Sequence, residues 1–486
     1  DGQCFYDIMA GCDPADDDTI YLGGNPNAFG NDLSGLGGNR DAWRSDDGGD
    51  TWTGISQGDG ISGGLHTDVH SIAFDTSTVP TRVYLGSDGG VWRTEDQGGS
   101  WASMNTNLGI TQFQSVALHP TDAAIVIGGT QDNGTNIRRV DLAAAPAFFH
   151  TDFGDGGQAV IDQSDPTRMF HTYFNQTGNF QGPAKSTNSG IDGPGNWTFT
   201  GGYFGFGAYY YNGFTPGEPV LFYAPLAQFE GTNPNVVYFG TDKVYRSPDP
   251  QAPFGATSWT PVSPSIGAGA GEPVSWIEAY PDAIGGDEVI YAGGAGGSLM
   301  VAADVNGTTS GCPAACTSTW NMIADPAVTP PRFVTDMEVS RADATANTVY
   351  ATFSGFGSTT PATPGHVFRT TDGLAATPTW VDISGNLPDL PVNAIAVDHT
   401  TTPETLYVGN DIGVFMSTDD GVTWTYENNG HPVVSVFALD RNPITGHIVS
   451  STHGRGMFEV QGTGTLLIFQ DGFEAGNVAA WSTTFP

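Results

Sequence analysis

Val91-Trp92-Arg93-Thr94-Glu95-Asp96-Gln97-Gly98-Gly99-Ser100-Trp101 reads as a short strand that runs into a turn and ends on tryptophan. The same spelling returns at Ala42–Trp52, where Ser45, Asp47, Gly49, Thr51 and Trp52 hold the key places. It returns again at Val414–Trp424, with Ser417, Asp419, Gly421, Thr423 and Trp424. All three follow the pattern Ser/Thr-x-Asp-x-Gly-x-Ser/Thr-Trp. Glycine supplies the positive φ that a tight turn needs, and an aspartate side chain can accept hydrogen bonds from nearby backbone N–H groups and hold the turn closed. The pattern therefore reads as a structural staple rather than as catalytic machinery.

Around these turns the chain repeats a theme of about fifty residues, namely an alternating strand, a turn, a second strand ending in glycine, a third strand, the box, and a strand headed by tryptophan. Nine such units can be counted. Some keep the strands and lose or stretch the box, as around Arg138-Arg139-Val140 and between Ser186 and Trp197; the fifth unit delays its tryptophan to Trp259. A four-stranded unit cannot cover both faces of its own sheet, so neighbours must stack. The expectation is an all-β chain: a single large β-propeller of four-stranded blades, about nine in number (eight to ten), over residues 1–469, followed by a short C-terminal tail over 470–486.

The box resembles the Asp-box, or BNR repeat, of sialidase-like, sortilin-like and xyloglucanase-like propellers of secreted bacterial proteins. That resemblance implies the propeller fold, with the boxes on the rim away from the substrate face. It implies two functions in competition. One is a secreted propeller that engages polysaccharide or glycoconjugate, with glycoside hydrolysis by paired carboxylates. The other is a non-catalytic protein-binding or surface-assembly propeller. A true sialidase is disfavoured, because no Arg-Ile-Pro occurs and Arg332 stands in Pro331-Arg332-Phe333.

The formal net charge is −37, with two lysines and thirteen arginines. Clustered cations for nucleic acid or an acidic membrane surface are missing, and no apolar run is long enough to span a bilayer. The acidity fits solubility in an extracellular or periplasmic medium. Carboxylate clusters at Asp16-Asp17-Asp18 and Asp46-Asp47 also raise calcium as a candidate ligand. Cys4 with Cys12 and Cys312 with Cys316 read as two local disulfides of an oxidising compartment. The opening Asp1-Gly2-Gln3-Cys4 reads as a mature start after cleavage of a leader.

With the boxes between third and fourth strands, a functional face must be built from the other loops, those after second strands and those entering first strands. The former carry Asp88, Asp132 and Asp411 as candidate catalytic carboxylates, with Gln131, Asn133, His453 and Arg455 as candidate substrate-binding groups. Asp155 lies in a loop entering a first strand and is a further carboxylate that could face one of these. His66 and His70, further candidate substrate-binding groups, flank Asp68, and the alternation places all three side chains on one face if the segment is extended, as in a metal-binding arrangement or a hydrogen-bonded histidine pair. The aromatic run from Tyr203 to Phe214, including Tyr209, could stack on sugar rings or pack between blades.

Overall fold

The computed structural model describes residues 8–24, 42–56, 65–66, 68–105, 108–139, 141, 148–175, 182–205, 208–229, 235–250, 258–267, 271–281, 288–303, 305, 320–427, 431–442 and 444–461. Among them the structure is all-β; the exception is one turn of 3-10 helix at Gly357–Thr359. Nine antiparallel sheets follow one another as blades over residues 8–54, 69–103, 117–152, 156–199, 226–261, 274–322, 334–382, 392–426 and 436–461. The first eight have four strands and the ninth has three. A separate two-stranded ribbon, Tyr203–Gly205 with Ala208–Tyr210, lies in the connection between the fourth and fifth blades. Residues 465–469, where the strand repeat predicts a fourth strand for the last blade, and Cys4, Cys312 and Cys316 lie outside the described residues.

The chain divides into two compact units, Asp1–Ile110 and Thr111–Asn477. Blades 1 and 2 belong to the first unit. Their shared core contains Met9, Tyr21, Val69, Leu85 and Trp101. Blades 3 to 9 belong to the second. Val289, Tyr291 and Leu299 of blade 6 pack on Val334, Met337 and Ala351 of blade 7, and similar apolar layers join other neighbours. Each fully buried aliphatic side chain of this kind contributes roughly 1.5–3 kcal/mol.

Within the second unit, the ninth blade meets the third. Phe113, Val116, Leu118 and Val126 share a core with Val449 and Met457. The Leu118 N–H donates to Asp440 at 2.7 Å, and the Asn442 amide donates to the His119 carbonyl at 2.6 Å. Seven blades thus form a closed ring.

The boxes do what their spelling predicts. In the second blade, Asp96 accepts bonds from Thr94 Oγ1 at 2.7 Å, the Ser100 N–H at 2.8 Å and Ser100 Oγ at 2.7 Å, while the Gly98 N–H donates to Thr94 Oγ1. Asp47 and Asp419 repeat this network with Ser45 and Thr51, and with Ser417 and Thr423. Asp372 retains it across a longer turn to Thr379. These bonds hold the box carboxyls below the usual carboxylate range, Asp47 at about 2. Because both Asp47 oxygens serve the turn and Asp46 faces the Arg44 guanidinium, the pair has the arrangement of a turn rather than of an oxygen cage around calcium.

Candidate functional site

In the seven-blade unit, loops after second strands and loops between blades share the rim opposite the box turns. The loop from Thr130 to Gly134 is shaped by its own polar groups. Thr130 Oγ1 donates to the Gly134 carbonyl at 2.7 Å, and the Asn136 amide donates to Thr130 Oγ1 and the Asn133 carbonyl, both at 2.9 Å. Asn133 donates to the Gln131 carbonyl at 3.0 Å, and Gln112 donates to Gln131 Oε1 at 3.1 Å. Asp132 adopts a left-handed conformation, φ 58°. Its N–H then donates to the Asp155 carboxylate at 2.7 Å.

The Asp155 loop is zipped to this one. The Gly134 N–H donates to the Gly154 carbonyl at 2.8 Å and the Gly156 N–H to the Thr130 carbonyl at 3.0 Å. Such close approach requires glycine, since a Cβ on Gly129 would lie 2.1 Å from the Gly157 carbonyl oxygen. Asp132 and Asp155 are therefore carried on two backbones that cannot separate without breaking several bonds.

Beneath them, Asp152 is buried and accepts bonds from His171 Nε2 at 3.0 Å, the Gly195 N–H at 2.8 Å, the Phe153 N–H at 3.0 Å and the Tyr173 hydroxyl. Burial pushes its carboxyl up, but the bonds and charge from His171, with Tyr173 and Gly195, hold it below the ordinary value. Burial, then the Asp152 charge, pushes the Tyr173 phenol well above its usual range. This network fixes the start of the loop that presents Phe153 and Asp155.

Exposed aromatic rings lie in the connections that flank these loops. Phe153 is 44% exposed and Phe222 is 43% exposed. Phe222 lies 5.5 Å from the Phe174 ring and 4.9 Å from that of Tyr223, and the space beside Gly157 is filled by Tyr223. Sequence reading missed this group because its members come from three loops with no shared motif. The dense aromatic run behaves differently. Phe214 is buried and stacks on Trp259 at 5.1 Å, so that end of the run is blade core. Tyr203 and Tyr209 lie in the two strands of the ribbon, where Phe204 pairs with Tyr209.

The other predicted mouth residues form an arc. Asp411 accepts bonds from Ser435 Oγ at 2.9 Å and the Asn393 amide at 3.1 Å. The His453 N–H donates to the Ser435 carbonyl at 2.9 Å, and its ring meets Phe437 edge-on at 4.8 Å. Arg455 follows, exposed at a hairpin tip. The Phe113 N–H then donates to the Thr452 carbonyl, and Phe113 bridges to Thr130, which returns the arc to Gln131 and Asp132.

In the first unit, His70 Nε2 lies 2.5 Å from Asp88 Oδ1, and His66 packs over Gly89. The side chains of His66, Asp68 and His70 all reach the Asp88–Gly89 loop, with carboxylate oxygens of Asp68 and Asp88 within 4.8 Å of one another, but not by alternation along a strand. Asp68 has φ 57°, and the strand starts only at Val69, so alternation does not apply across the three.

No protein-family model matches the sequence, and no curated protein matches it. Solved structures do resemble it. A GH74 enzyme of Niastella koreensis is similar with a TM-score of 0.51 and 18% identity over 92% of this chain. A GH74 xyloglucanase from Xanthomonas campestris is similar with a TM-score of 0.54 and 17% identity over 93%. This chain spans 58% of the length of each. At such identity the likeness is one of fold.

Proposed function

We propose that this chain is an extracellular, carbohydrate-engaging propeller, and that a polysaccharide lies across the mouth of its seven-blade unit. The observation that carries the reading is the pair Asp132 and Asp155, held on zipped loops, with the exposed Phe153 two residues before Asp155 in the chain and the exposed Phe222 next to Tyr223, whose ring lies against Gly157. Sugar rings present apolar C–H faces that stack on aromatic rings, and hydroxyls that donate to carboxylates. A mouth offering both, on a rigid base, suits a glycan better than it suits an apolar ligand. One of the two similar structures is a xyloglucanase, a protein that acts on a polysaccharide with a related fold. Hydrolysis here would use Asp132 and Asp155 as the acid and base of glycosidic cleavage, with Asp411 as the next carboxylate along the arc.

The rival reading is a non-catalytic protein-binding propeller. It draws on Asp411, whose carboxylate is already engaged by Ser435 and Asn393 as a clasp between blades.

The test is a binding and hydrolysis screen on plant and bacterial polysaccharides with the full chain. Phe222→Ala should weaken glycan binding about tenfold, in line with one lost stacking contact. Asp132→Asn combined with Asp155→Asn should abolish release of reducing sugar while the protein still melts as wild type. Binding to no polysaccharide, with retention of a protein partner, would overturn the reading in favour of its rival.

A further inference from the structure

Arg455 stands apart from the other cations of this chain. Both lysines are engaged, Lys185 with Pro250 and Asp249, Lys243 with Glu218. Every other described arginine has a hydrogen bond or ion pair: Arg138 with the Ala123 and Ala124 carbonyls, Arg139 with Asp141, Arg441 with Asp398, and the rest likewise. Among the described residues, Arg455 is the one cationic side chain without such a bond. Only its backbone is held, by the N–H donated to Thr452 Oγ1 at 3.2 Å.

In a chain carrying 52 Asp and Glu against 15 Lys and Arg, an exposed arginine whose side chain makes no hydrogen bond or ion pair is conspicuous. Packing does not account for it. The residue is exposed between Gly454 and Gly456, and a Cβ built on either glycine would meet nothing within 4 Å. The hairpin tip is therefore open and places a guanidinium on the mouth, with the exposed His453 two residues away. Asp411 is tied to this tip through Ser435, and Gly456 through its N–H to the Thr111 carbonyl, at the start of the segment whose Gln112 bonds Gln131.

We infer that the ligand taken at this mouth is an acidic glycan, one whose sugar carboxylate is gripped by Arg455 with His453 as a second donor. This rests on the polysaccharide reading given above and narrows it. A guanidinium presents two parallel N–H groups that match the two oxygens of a carboxylate. The physical need is plain. A chain of formal charge −37 repels an anionic polymer that comes within a Debye length of its surface, so a uronate docks best where a local cation offsets that field. A neutral glycan needs no such group, and the aromatic rings and carboxylates of the mouth would serve it alone.

The test is calorimetric binding of the full chain to oligogalacturonate, oligoalginate and glucuronate-containing oligosaccharides, with the methyl ester of oligogalacturonate, a neutral β-glucan oligosaccharide, a sulfated glycan and poly-glutamate as comparisons. At least one uronate should bind, its esterified or neutral counterpart more weakly. Arg455→Gln should lower uronate affinity about tenfold or more, as loss of a charged hydrogen bond does, and Arg455→Lys should restore part of it. Neutral-glycan binding should be the same in all three proteins. Because the tip is exposed, both variants should keep the wild-type melting temperature.

Equal affinity for neutral and acidic glycans, with Arg455→Gln silent, overturns the acidic specificity and leaves the polysaccharide reading standing. Binding to the sulfated glycan alone overturns the carboxylate in favour of a sulfate. Binding to poly-glutamate and to no glycan overturns both readings.

Discussion

The indole nitrogen of Trp101 donates to the Ile55 carbonyl at 2.7 Å, across the gap between two blades. The relation recurs as Trp197 to Thr151, Trp259 to Thr200, Trp320 to Val262, Trp380 to Ile323 and Trp424 to Ile383. In each case the tryptophan that heads a fourth strand reaches the preceding blade, so the residue that ends the box also joins one sheet to the next. In the first blade, Trp52 bonds its own Gly49 carbonyl. Replacing Trp424 by phenylalanine keeps a ring and removes the donor, leaving a buried carbonyl without a partner. A loss of about 1–3 kcal/mol is expected, read as a lower urea midpoint with an unchanged slope.

Asp96→Ala should cost about 1 kcal/mol, because the turn loses its side-chain bonds but its backbone groups are exposed enough to find water. Glycan affinity should not change. A normal melting temperature with lost binding would show that the box belongs to the ligand site.

Acid should loosen the boxes together. Asp47, Asp96, Asp372 and Asp419 all have folded-state values below their unfolded ones, Asp47 at about 2. Their contribution is complete above the unfolded value of about 4 and is lost as pH falls through the folded values. Thermal melts between pH 5 and pH 2 should decline, and Asp47→Asn should make that decline shallower.

His399 gives the opposite slope. Burial pulls its imidazole down, but Glu338 at 3.1 Å and Glu404 at 2.7 Å outweigh it and raise the value. The clasp is thus fully formed below the unfolded value of about 6.5 and weakens as pH rises through the folded value above it. Melting temperature should fall as pH is raised above about 6.5, and His399→Gln should remove that dependence.

Gly129→Ala should prevent the Asp132 and Asp155 loops from meeting, since the methyl would sit 2.1 Å from the Gly157 carbonyl oxygen. Both glycan binding and stability should fall. Retention of both would show that the loops can meet by another route.

What could be read from the sequence was local. Ser45, Asp47 and Thr51 act on one another within seven residues, so turn chemistry predicted their bonds without reference to the rest of the chain. The strand repeat predicted the blades for the same reason. The carbonyl that each tryptophan seeks was not legible, because Ile383 and Trp424 belong to different sheets. Nor was the pairing of Asp132 with Asp155, which depends on glycine-only contact between two blades. Alternation failed at His66, Asp68 and His70 because it presumes extended backbone, and Asp68 is left-handed. Phe174, Phe222 and Tyr223 carried no periodic signal at all.

The meeting of blades 3 and 9 has a kinetic side. Leu118 and Asp440 are 322 positions apart in sequence, whereas each tryptophan reaches back across one blade. Closing that seam has to wait for all the intervening blades to be in place, and loop-closure entropy opposes it most. The seam should be the last part of the ring to gain protection from hydrogen exchange during refolding. Under force or denaturant, it is where the circle should first come undone.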